Sequence, residues 1–438
     1  MERTLIKELE KYIGKEVTIS GWVDVRRDHG KLVFLDIRDR SGKIQVIFPS
    51  ANTTAGANAK TTRPEWVVTV RGIVKERPEN MRKEELNGNI ELDGFHVEIL
   101  AEAEVPFELG SELNLDTYLD HLPYTVRSQK ARDVFVIQAT IIEAFRASLR
   151  RREFVEFQAP ALVGGDAEGG AAAFKVDYYY DQQAFLATSP QLYKQIMVGA
   201  FERVFTTAKI FRGEKHATTR HLSELVQMDF EMGFIQDHRD IMDALEHTMR
   251  DICADVGEKH ADIFKRFNLD LPKLPKGKFP TLKLKEAQDL LGVAHEPDLE
   301  PEHERHLHEW ALREHGSDFV FVTHFPISKR PFYTFEDPDD LGHTRYFDLL
   351  FRGLEINSGG QRVHNYDALV ERIKQKGLDP AKFAFYLQAF KVGMPPHGGC
   401  STGLERLTAR MLELPNIREA TLFPRDLNRI DTLLRVDK

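Results

Sequence analysis

Charged side chains of both signs are concentrated between residues 212 and 224. They are Arg212, Glu214, Lys215, His216, Arg220, His221 and Glu224. Guanidinium and ammonium groups bind phosphate and carboxylate oxygens. A loop with so many charged side chains is therefore suited to binding and positioning a polyanion. For one isolated charged loop, a solvated hairpin tip is the commoner explanation. Two later stretches of the chain favour binding instead.

Those two stretches carry further groups with related chemistry. RYFDLLFRGLEINSGGQR (345–362) contains Glu355 and Ser358, and GMPPHGGCSTGLERLTARML (393–412) contains Arg406. The sequence has no glycine-rich phosphate loop ending in Gly-Lys-Ser/Thr, and no Gly-x-Gly-x-x-Gly after a strand. A nucleotide would therefore be bound by side chains carried on an antiparallel sheet. The two histidines of HLHEW (306–310) would point to different faces of a helix, which favours a solvated pair over a metal site.

Alternating patterns predict strands on both sides of the charged loop, VFTTAKIF (204–211) and LVQMDFEMGF (225–234). In the second, apolar residues alternate with Gln227, Asp229 and Glu231, the period of a strand with one buried face. Further strands are predicted at DFVFVTHFP (318–326) and within 345–362. With the helices described next, these strands predict an α+β fold, in which a mixed, mostly antiparallel sheet is flanked by helices.

Two other segments are predicted to flank this sheet. Apolar residues at every third or fourth position predict a long helix from Ser128 to Arg152, and SPQLYKQIMV (189–198) predicts a helix capped by Ser189. FVEFQAPALV (154–163) is predicted to be one strand interrupted by Pro160, a residue tolerated at sheet edges and interfaces.

The N-terminal quarter has a different, β-rich pattern. Five strand-like runs between Glu16 and about Leu100 predict a small barrel of the OB type, in a domain spanning 1–104. Its strands carry basic, aromatic and amide side chains suited to single-stranded bases, namely Arg26, Arg27, Phe34, Arg38 and Gln45. An ordinary barrel with Phe34 in its core explains this segment equally well. Residues 51–64 are predicted to form a loop, 105–127 a hinge or linker, and 128–438 the catalytic domain.

Composition narrows the class of protein. With 42% hydrophobic and 29% charged residues, the 438-residue chain has the make-up of a globular protein, and no apolar run approaches the roughly 20 residues of a membrane span. The charged N-terminus has no signal-peptide core, and two cysteines are too few for a disulfide framework. The net charge of −9 restricts any nucleic-acid partner to a local basic face. A cytoplasmic enzyme is expected.

Six ordered motifs resemble one family. The proline-bearing strand around Pro160, SPQLYKQ, FRGEKHATTRHLSE, GLEINSGGQR, GMPPHGG and the GxGxER-like GGCSTGLER are similar to those of class II aminoacyl-tRNA synthetases. With the barrel in front, the chain resembles subclass IIb and, within it, the archaeal-type aspartyl-tRNA synthetases. The resemblance implies ATP and Mg²⁺ as cofactors and L-aspartate and tRNA-Asp as substrates, with tRNA-Asn as an open second acceptor. It also implies a homodimer joined through the strand around Pro160.

The resemblance also implies site residues. ATP contacts are expected from Arg212, Gly213, Glu214, Arg220, His221, Leu222, Glu355, Gly403, Leu404, Glu405 and Arg406, with Arg212 at the α-phosphate and Arg406 at the γ-phosphate as the catalytic pair. Mg²⁺ is expected at Glu355 and Ser358. Aspartate contacts are expected from Glu168, Gln191, Leu192, Tyr193, Lys194, Arg212, Asp229, Ser358 and Arg362. Anticodon contacts are expected from Arg26, Phe34 and Gln45.

Charge favours aspartate over asparagine as the substrate, because two fixed cations, Lys194 and Arg362, would be left unpaired beside a neutral amide. Three alternatives stay open: an asparaginyl enzyme, a catalytically silent tRNA-binding paralogue, and an amide-forming asparagine synthetase, whose relatives typically lack the barrel. Two stretches depart from the family pattern. Cys400 and Ser401 change the last motif, which is expected to affect local packing, and Asp24 leaves the reading of tRNA-Asn undecided.

Overall fold

The chain forms two compact units, Met1–Ser111 and Glu112–Lys438. The computed structural model describes residues 2–49, 54–84, 86–165, 172–215 and 218–430. Among these residues, no helix has both the length and the apolar composition needed to cross a bilayer.

The first unit is a closed five-stranded barrel, which confirms the predicted OB-type fold. Its strands are β1 (Glu16–Asp28), β2 (Leu32–Asp39), β3 (Gly42–Pro49), β4 (Val67–Glu76) and β5 (Ile90–Ala101), hydrogen-bonded in the order β1-β2-β3-β5-β4 and closed by β1 pairing with β4. A 3₁₀ helix, Ile6–Tyr12, precedes them. Alternate residues of β2, such as Val33 and Leu35, are buried, whereas Phe34 lies between them on the outer face and is only partly buried. The explanation that Phe34 belongs to the core is therefore wrong.

A helix lies where a loop is predicted over residues 51–64. Helix α1 spans Thr54–Thr61, so the loop prediction is wrong for that range; residues 51–53 lie outside the described part of the chain. Its buried residues are Ala55, Gly56 and Ala59. Such small side chains produce no apolar stripe, which is why the sequence pattern does not reveal the helix.

The second unit is built on an eight-stranded mixed sheet and a separate three-stranded sheet. Their strands are β6 (Val155–Glu156), β7 (Leu162–Val163), β8 (Lys175–Tyr178), β9 (Gln182–Leu186), β10 (Arg203–Phe211), β11 (Glu224–Gly233), β12 (Thr281–Lys283), β13 (Phe319–Thr323), β14 (Tyr346–Phe351), β15 (Leu354–Gln361) and β16 (His397–Gly403). The large sheet has the order β12-β13-β14-β15-β16-β11-β10-β6, and the small one β7-β9-β8. In the large sheet the outermost pairs, β12–β13 and β10–β6, are parallel and the inner pairs antiparallel.

Helices flank this sheet, as predicted. They are α2 (Leu115–Asp120), α3 (Leu122–Thr125), α4 (Gln129–Arg151), α5 (Gln191–Phe201), α6 (His238–Phe267), α7 (Leu284–Leu291), α8 (Pro301–His315), α9 (Tyr366–Gln375), α10 (Ala384–Lys391) and α11 (Leu404–Met411), with short 3₁₀ helices at Ile327–Lys329, Pro380–Phe383 and Ile417–Ala420. The 3₁₀ helix Glu79–Met81 belongs to the first unit. Apolar residues of α4, α6 and α11 pack with Phe205, Met228 and Phe230 of the sheet in the largest core. Since side chains alternate along a strand, the opposite sheet face carries Asp229 and Glu231.

The segment around Pro160 forms two strands and not the single strand predicted. Val155–Glu156 pairs with β10 of the large sheet, whereas Leu162–Val163 pairs with β9 of the small sheet. Proline has no backbone N–H to donate, so the chain leaves one sheet before Pro160 and enters the other after it. The proposed linker, 105–127, includes α2 and α3, which belong to the second unit.

Candidate active site

The charged loop between β10 and β11 forms one wall of a cavity of about 210 Å³. The cavity is lined by Arg212, Glu214, His221, Leu222, Ser223 and Asp426. The N–H of Arg212 donates to the carbonyl of Ser223 at 2.9 Å, and the N–H of Ser223 donates to the carbonyl of Arg425 at 2.7 Å. The stretch near the C-terminus therefore supplies the other wall. Asp426 is a lining residue that the sequence analysis missed, and His216 lies outside the described residues.

A row of polar side chains crosses four adjacent strands on one face of the sheet. Asp348 of β14 is paired with Ser358 of β15, Ser358 with Ser401 of β16, and Ser401 with Asp229 of β11. The Ser401 hydroxyl donates to Asp229 Oδ1 at 2.7 Å. Neighbouring strands lie about 4.8 Å apart, so the row is about 14 Å long. It connects the residues expected at Mg²⁺ with those expected at the amino acid.

Glu355 completes the acidic end of this row. Ser358 Oγ lies 2.6 Å from Asp348 Oδ1 and 2.8 Å from Glu355 Oε1. One hydroxyl donates a single proton, so it can donate to only one of the two carboxylates at a time. Burial and the nearby Glu355 raise the pKa of Asp348. For Glu355, burial raises the pKa but is outweighed by Arg406 and Ser358.

This end of the row is a fitting site for a hard cation. Asp348, Glu355 and Ser358 present only oxygen atoms, the donors that Mg²⁺ prefers. Within the described ranges, no group of three or more His, Cys, Asp or Glu residues could hold a metal by itself. The donor set suits an ion that completes its shell with water and phosphate oxygens. Arg406 lies beside it, donating from Nη1 to the Glu355 carbonyl at 3.0 Å.

The other end of the row is a buried cluster of two cations and two acids. Lys194 Nζ donates to Asp229 Oδ2 at 2.8 Å and to the Cys400 carbonyl at 3.0 Å. Arg362 donates from Nε to Glu231 Oε1 at 2.8 Å and from Nη2 to the Gly399 carbonyl at 2.8 Å. None of the four charged side chains is more than 3% exposed.

The formal charge of this cluster is zero, because Asp229 and Glu231 balance Lys194 and Arg362. Nearby His397 is neutral at pH 7, since burial lowers its pKa to about 4. The two cations are thus already paired within the protein. They would not be left unpaired beside asparagine, so that argument for aspartate does not hold. Glu231 is recognisable in the sequence only as a polar residue of a strand, and its partner Arg362 lies 131 residues away.

The other predicted amino-acid contacts lie on helix α5 or outside the described residues. Gln191 Nε2 donates to Gln195 Oε1 at 2.9 Å, which ties Gln191 to the helix that also carries Lys194. Leu192 and Tyr193 lie on the same helix and are partly buried. Glu168 lies outside the described residues.

The predicted ATP contacts Gly403, Leu404 and Glu405 lie around the start of α11. Leu404 belongs to the main core, and the Glu405 carboxylate accepts the N–H of Val226 at 3.0 Å. Burial raises the pKa of Glu405 to about 7. These contacts fix α11, and with it Arg406, against β11.

Four of the five predicted barrel residues, Arg26, Arg27, Phe34 and Gln45, are at least partly exposed. Arg27 pairs with Asp36 at 2.9 Å and donates to Gln45 Oε1 at 3.2 Å. Phe34 has a ring neighbour at 5.4 Å, the imidazole of His29. Arg26 instead donates to the Lys60 carbonyl of α1 at 2.7 Å. The predicted barrel residues also include Arg38, which is buried and paired with Glu65 at 2.7 Å, and is therefore a structural residue.

Comparisons with known proteins agree with both units. The family described as tRNA synthetases class II (D, K and N) matches residues 114–427, and the OB-fold nucleic acid binding domain matches residues 17–100. An aspartate–tRNA(Asp/Asn) ligase of Thermus thermophilus is 43% identical over 98% of this chain and 99% of its own length. An aspartate–tRNA(Asp) ligase of Thermococcus kodakarensis is 38% identical over 96% and 97%. The crystal structure of asparaginyl-tRNA synthetase from Pyrococcus horikoshii with asparaginyl-adenylate has a TM-score of 0.90 at 32% identity, covering 98% of this chain and 99% of that one.

Proposed function

Because the chain belongs to the class II tRNA synthetases of the D, K and N group, we propose that it is an aspartate–tRNA ligase. It joins L-aspartate to the adenylyl group of ATP, releasing pyrophosphate, and transfers the aspartyl group from the adenylate to the 3′ end of tRNA-Asp, releasing AMP. One observation carries the proposal. The row from Asp348 to Asp229 has oxygen donors suited to a metal–triphosphate at one end, and at the other it reaches the buried cluster that contains Lys194 and Arg362.

The proposed chemistry needs positioning and charge neutralisation. The substrate carboxylate attacks the α-phosphorus of ATP, and the bond to the leaving pyrophosphate breaks, so no protein nucleophile takes part. Arg212 at the cavity wall is assigned to the α-phosphate and Arg406 to the γ-phosphate. Bound Mg²⁺, held by Glu355 and Ser358 with Asp348 beside them, would neutralise phosphate charge.

Arg362 is the residue assigned to the side chain of the substrate. Its Nε and Nη2 atoms bind Glu231 and Gly399, whereas Nη1 has no hydrogen-bond acceptor among the described residues. A guanidinium held by two of its edges offers the third in a fixed direction, which suits a carboxylate. Asp229 and Gln191, with Glu168, are assigned to the substrate ammonium group, and Lys194 holds Asp229 in place.

Asparagine is the second candidate substrate, and the zero net charge of the cluster favours it. A cluster whose charges already balance before substrate binds does not require a negatively charged ligand. The relatives support aspartate, since those at 37–43% identity over nearly the whole chain are named aspartate–tRNA ligases. Amino-acid-dependent exchange between pyrophosphate and ATP decides between the two. Aspartate alone should support exchange, and exchange with asparagine alone would overturn the proposal. No exchange with either amino acid would indicate a silent paralogue.

The barrel is proposed to bind the anticodon of tRNA through Phe34, Gln45 and Arg26. Phe34 lies on the outer face, where a base can stack on it, and Arg27 with Gln45 provides polar groups beside it. Charging assays with purified tRNA-Asp and tRNA-Asn test both acceptors. Aspartylation of tRNA-Asp is the expected result, and the rate with tRNA-Asn decides whether the enzyme serves one tRNA or two.

A homodimer is proposed through the segment around Pro160. Strand β6 lies at the edge of the large sheet, and Val155 on it is 41% exposed; Leu162, beyond the proline, is 48% exposed. Exposed apolar side chains at a sheet edge favour pairing with another chain. Sedimentation equilibrium should give twice the 50.3 kDa mass of the chain. A monomeric mass at micromolar concentration would refute the dimer.

A further inference from the structure

A carboxylate outside the recognised motifs lies against the ATP-binding loop. Glu304 belongs to α8, a helix that packs against β13 and carries none of the predicted site residues. Its Oε2 accepts a hydrogen bond from Arg220 Nη1 at 3.3 Å. The two side chains are only 12% and 25% exposed. This contact joins residues 84 positions apart in the sequence, so no local pattern reveals it.

The same carboxylate lies near the strand that carries the predicted metal position. Burial and the neighbouring Glu355 raise the pKa of the Glu304 carboxyl. Glu355 is at a bulge of β15, because Leu349 pairs with Asn357 and Leu350 with Glu355, which leaves one residue of β15 unpaired. Bulges beside active sites redirect a side chain, so this bulge sets the direction of Glu355.

We propose that Glu304 is a positioning residue for ATP, acting through Arg220. The inference rests on the proposed function, in which Arg220 contacts ATP. A buried carboxylate is costly unless a charge-assisted hydrogen bond satisfies it, and Arg220 supplies one. In return, one guanidinium nitrogen of Arg220 is fixed by α8. The other edge of the planar Arg220 guanidinium group stays available to the phosphates of ATP, and its direction is set before ATP binds.

This arrangement predicts a specific pattern in three variants. Glu304→Gln keeps the size of the side chain, but it removes the charge that holds Arg220. We expect about tenfold weaker ATP binding, the change that corresponds to one charge-assisted hydrogen bond. Arg220→Gln should weaken ATP binding at least as much. The double variant should bind ATP like Arg220→Gln alone, because Glu304 acts through that arginine.

The exposed Glu309 on the same helix provides a matched control. Glu309→Gln removes an equal charge from α8 and should leave ATP affinity unchanged. Calorimetric titration with Mg-ATP, without amino acid or tRNA, measures affinity in all variants. Steady-state exchange should show a raised KM for ATP in Glu304→Gln with an unchanged KM for the amino acid. If the wild-type chain binds Mg-ATP but exchanges with neither amino acid, the proposed function fails while this inference is still tested.

Two results would overturn the inference. One is Mg-ATP affinity in Glu304→Gln equal to that of the wild-type protein. The other is a double variant whose loss is the product of the two single losses, which would mean independent action. Should Glu304→Gln fail to fold, Glu304→Asp retains the charge but withdraws it by one methylene. That variant is expected to bind Mg-ATP less tightly than wild type, and unchanged affinity in it would equally refute the role.

Discussion

Replacing Arg362 by leucine tests whether this arginine serves both the fold and the substrate. Arg362 and Glu231 form a pair at 2.8 Å in which neither side chain is more than 3% exposed. Removing one partner of such a pair usually costs about 3–5 kcal/mol, because the other charge stays buried. Lys194 Nζ lies 3.4 Å from Glu231 Oε2 and continues to offset part of that charge. We therefore expect the free energy of unfolding to fall by about 2–4 kcal/mol.

A second substitution separates stability from substrate binding. Arg362→Leu combined with Glu231→Gln removes both charges of the pair, so the buried negative charge no longer opposes folding. This double variant should regain at least half of the lost free energy of unfolding. It should not regain aspartate-dependent pyrophosphate exchange, because the group assigned to the substrate carboxylate is still absent.

Urea unfolding and exchange kinetics, measured on the same preparations, check both expectations. A single variant that unfolds at the wild-type urea concentration would show that the buried pair does not stabilise the fold. A double variant with wild-type exchange kinetics would refute the assignment of Arg362 to the substrate, and would leave it as a purely structural partner of Glu231.

Three further substitutions have distinct expected outcomes. Phe34→Ala should weaken tRNA charging by about 1–3 kcal/mol, if one base stacks there, and leave adenylate formation unchanged; equal losses in both half-reactions would contradict an anticodon role. Ser401→Ala removes the 2.7 Å hydrogen bond to Asp229, so the KM for aspartate should rise about fivefold with an unchanged KM for ATP. A raised KM for ATP with an unchanged KM for aspartate would contradict the assignment of Asp229 to the substrate. Burial raises the pKa of Glu405 from 4.5 to about 7. The protonated carboxyl therefore contributes fully to the free energy of unfolding below pH 4.5, and this stabilisation is lost as the pH rises through 7. Glu405→Gln, which still accepts the Val226 N–H, should therefore raise the melting temperature at pH 8 more than at pH 5, and equal shifts would count against the raised pKa.

The strands of the active site could be predicted because their pattern is local. The alternation of Met228 and Phe230 with Asp229 and Glu231 identifies β11 from ten consecutive residues, and the structure confirms that strand. The OB-type barrel is confirmed for the same reason. Helix α1 was not predictable in this way, since its buried residues are alanine and glycine.

The partners within the site could not be predicted, because they come from distant parts of the chain. Glu231 is recognisable as a strand residue, but nothing near it indicates that Arg362 will neutralise it. Asp348 shares the hydroxyl of Ser358 with Glu355 only because β14 and β15 pair in that register. Ser401, expected to affect packing alone, donates to Asp229. Pairwise contacts of this kind depend on sheet topology, which residue types and spacing do not specify.

The choice of amino acid tests the central claim most directly. Pyrophosphate exchange into ATP, measured with the wild-type protein and either aspartate or asparagine at equal concentration, reports adenylate formation without any tRNA. The proposed function predicts exchange with aspartate and only background exchange with asparagine. Exchange with asparagine and none with aspartate would contradict it, and would mean that the neutral cluster around Arg362 selects an amide.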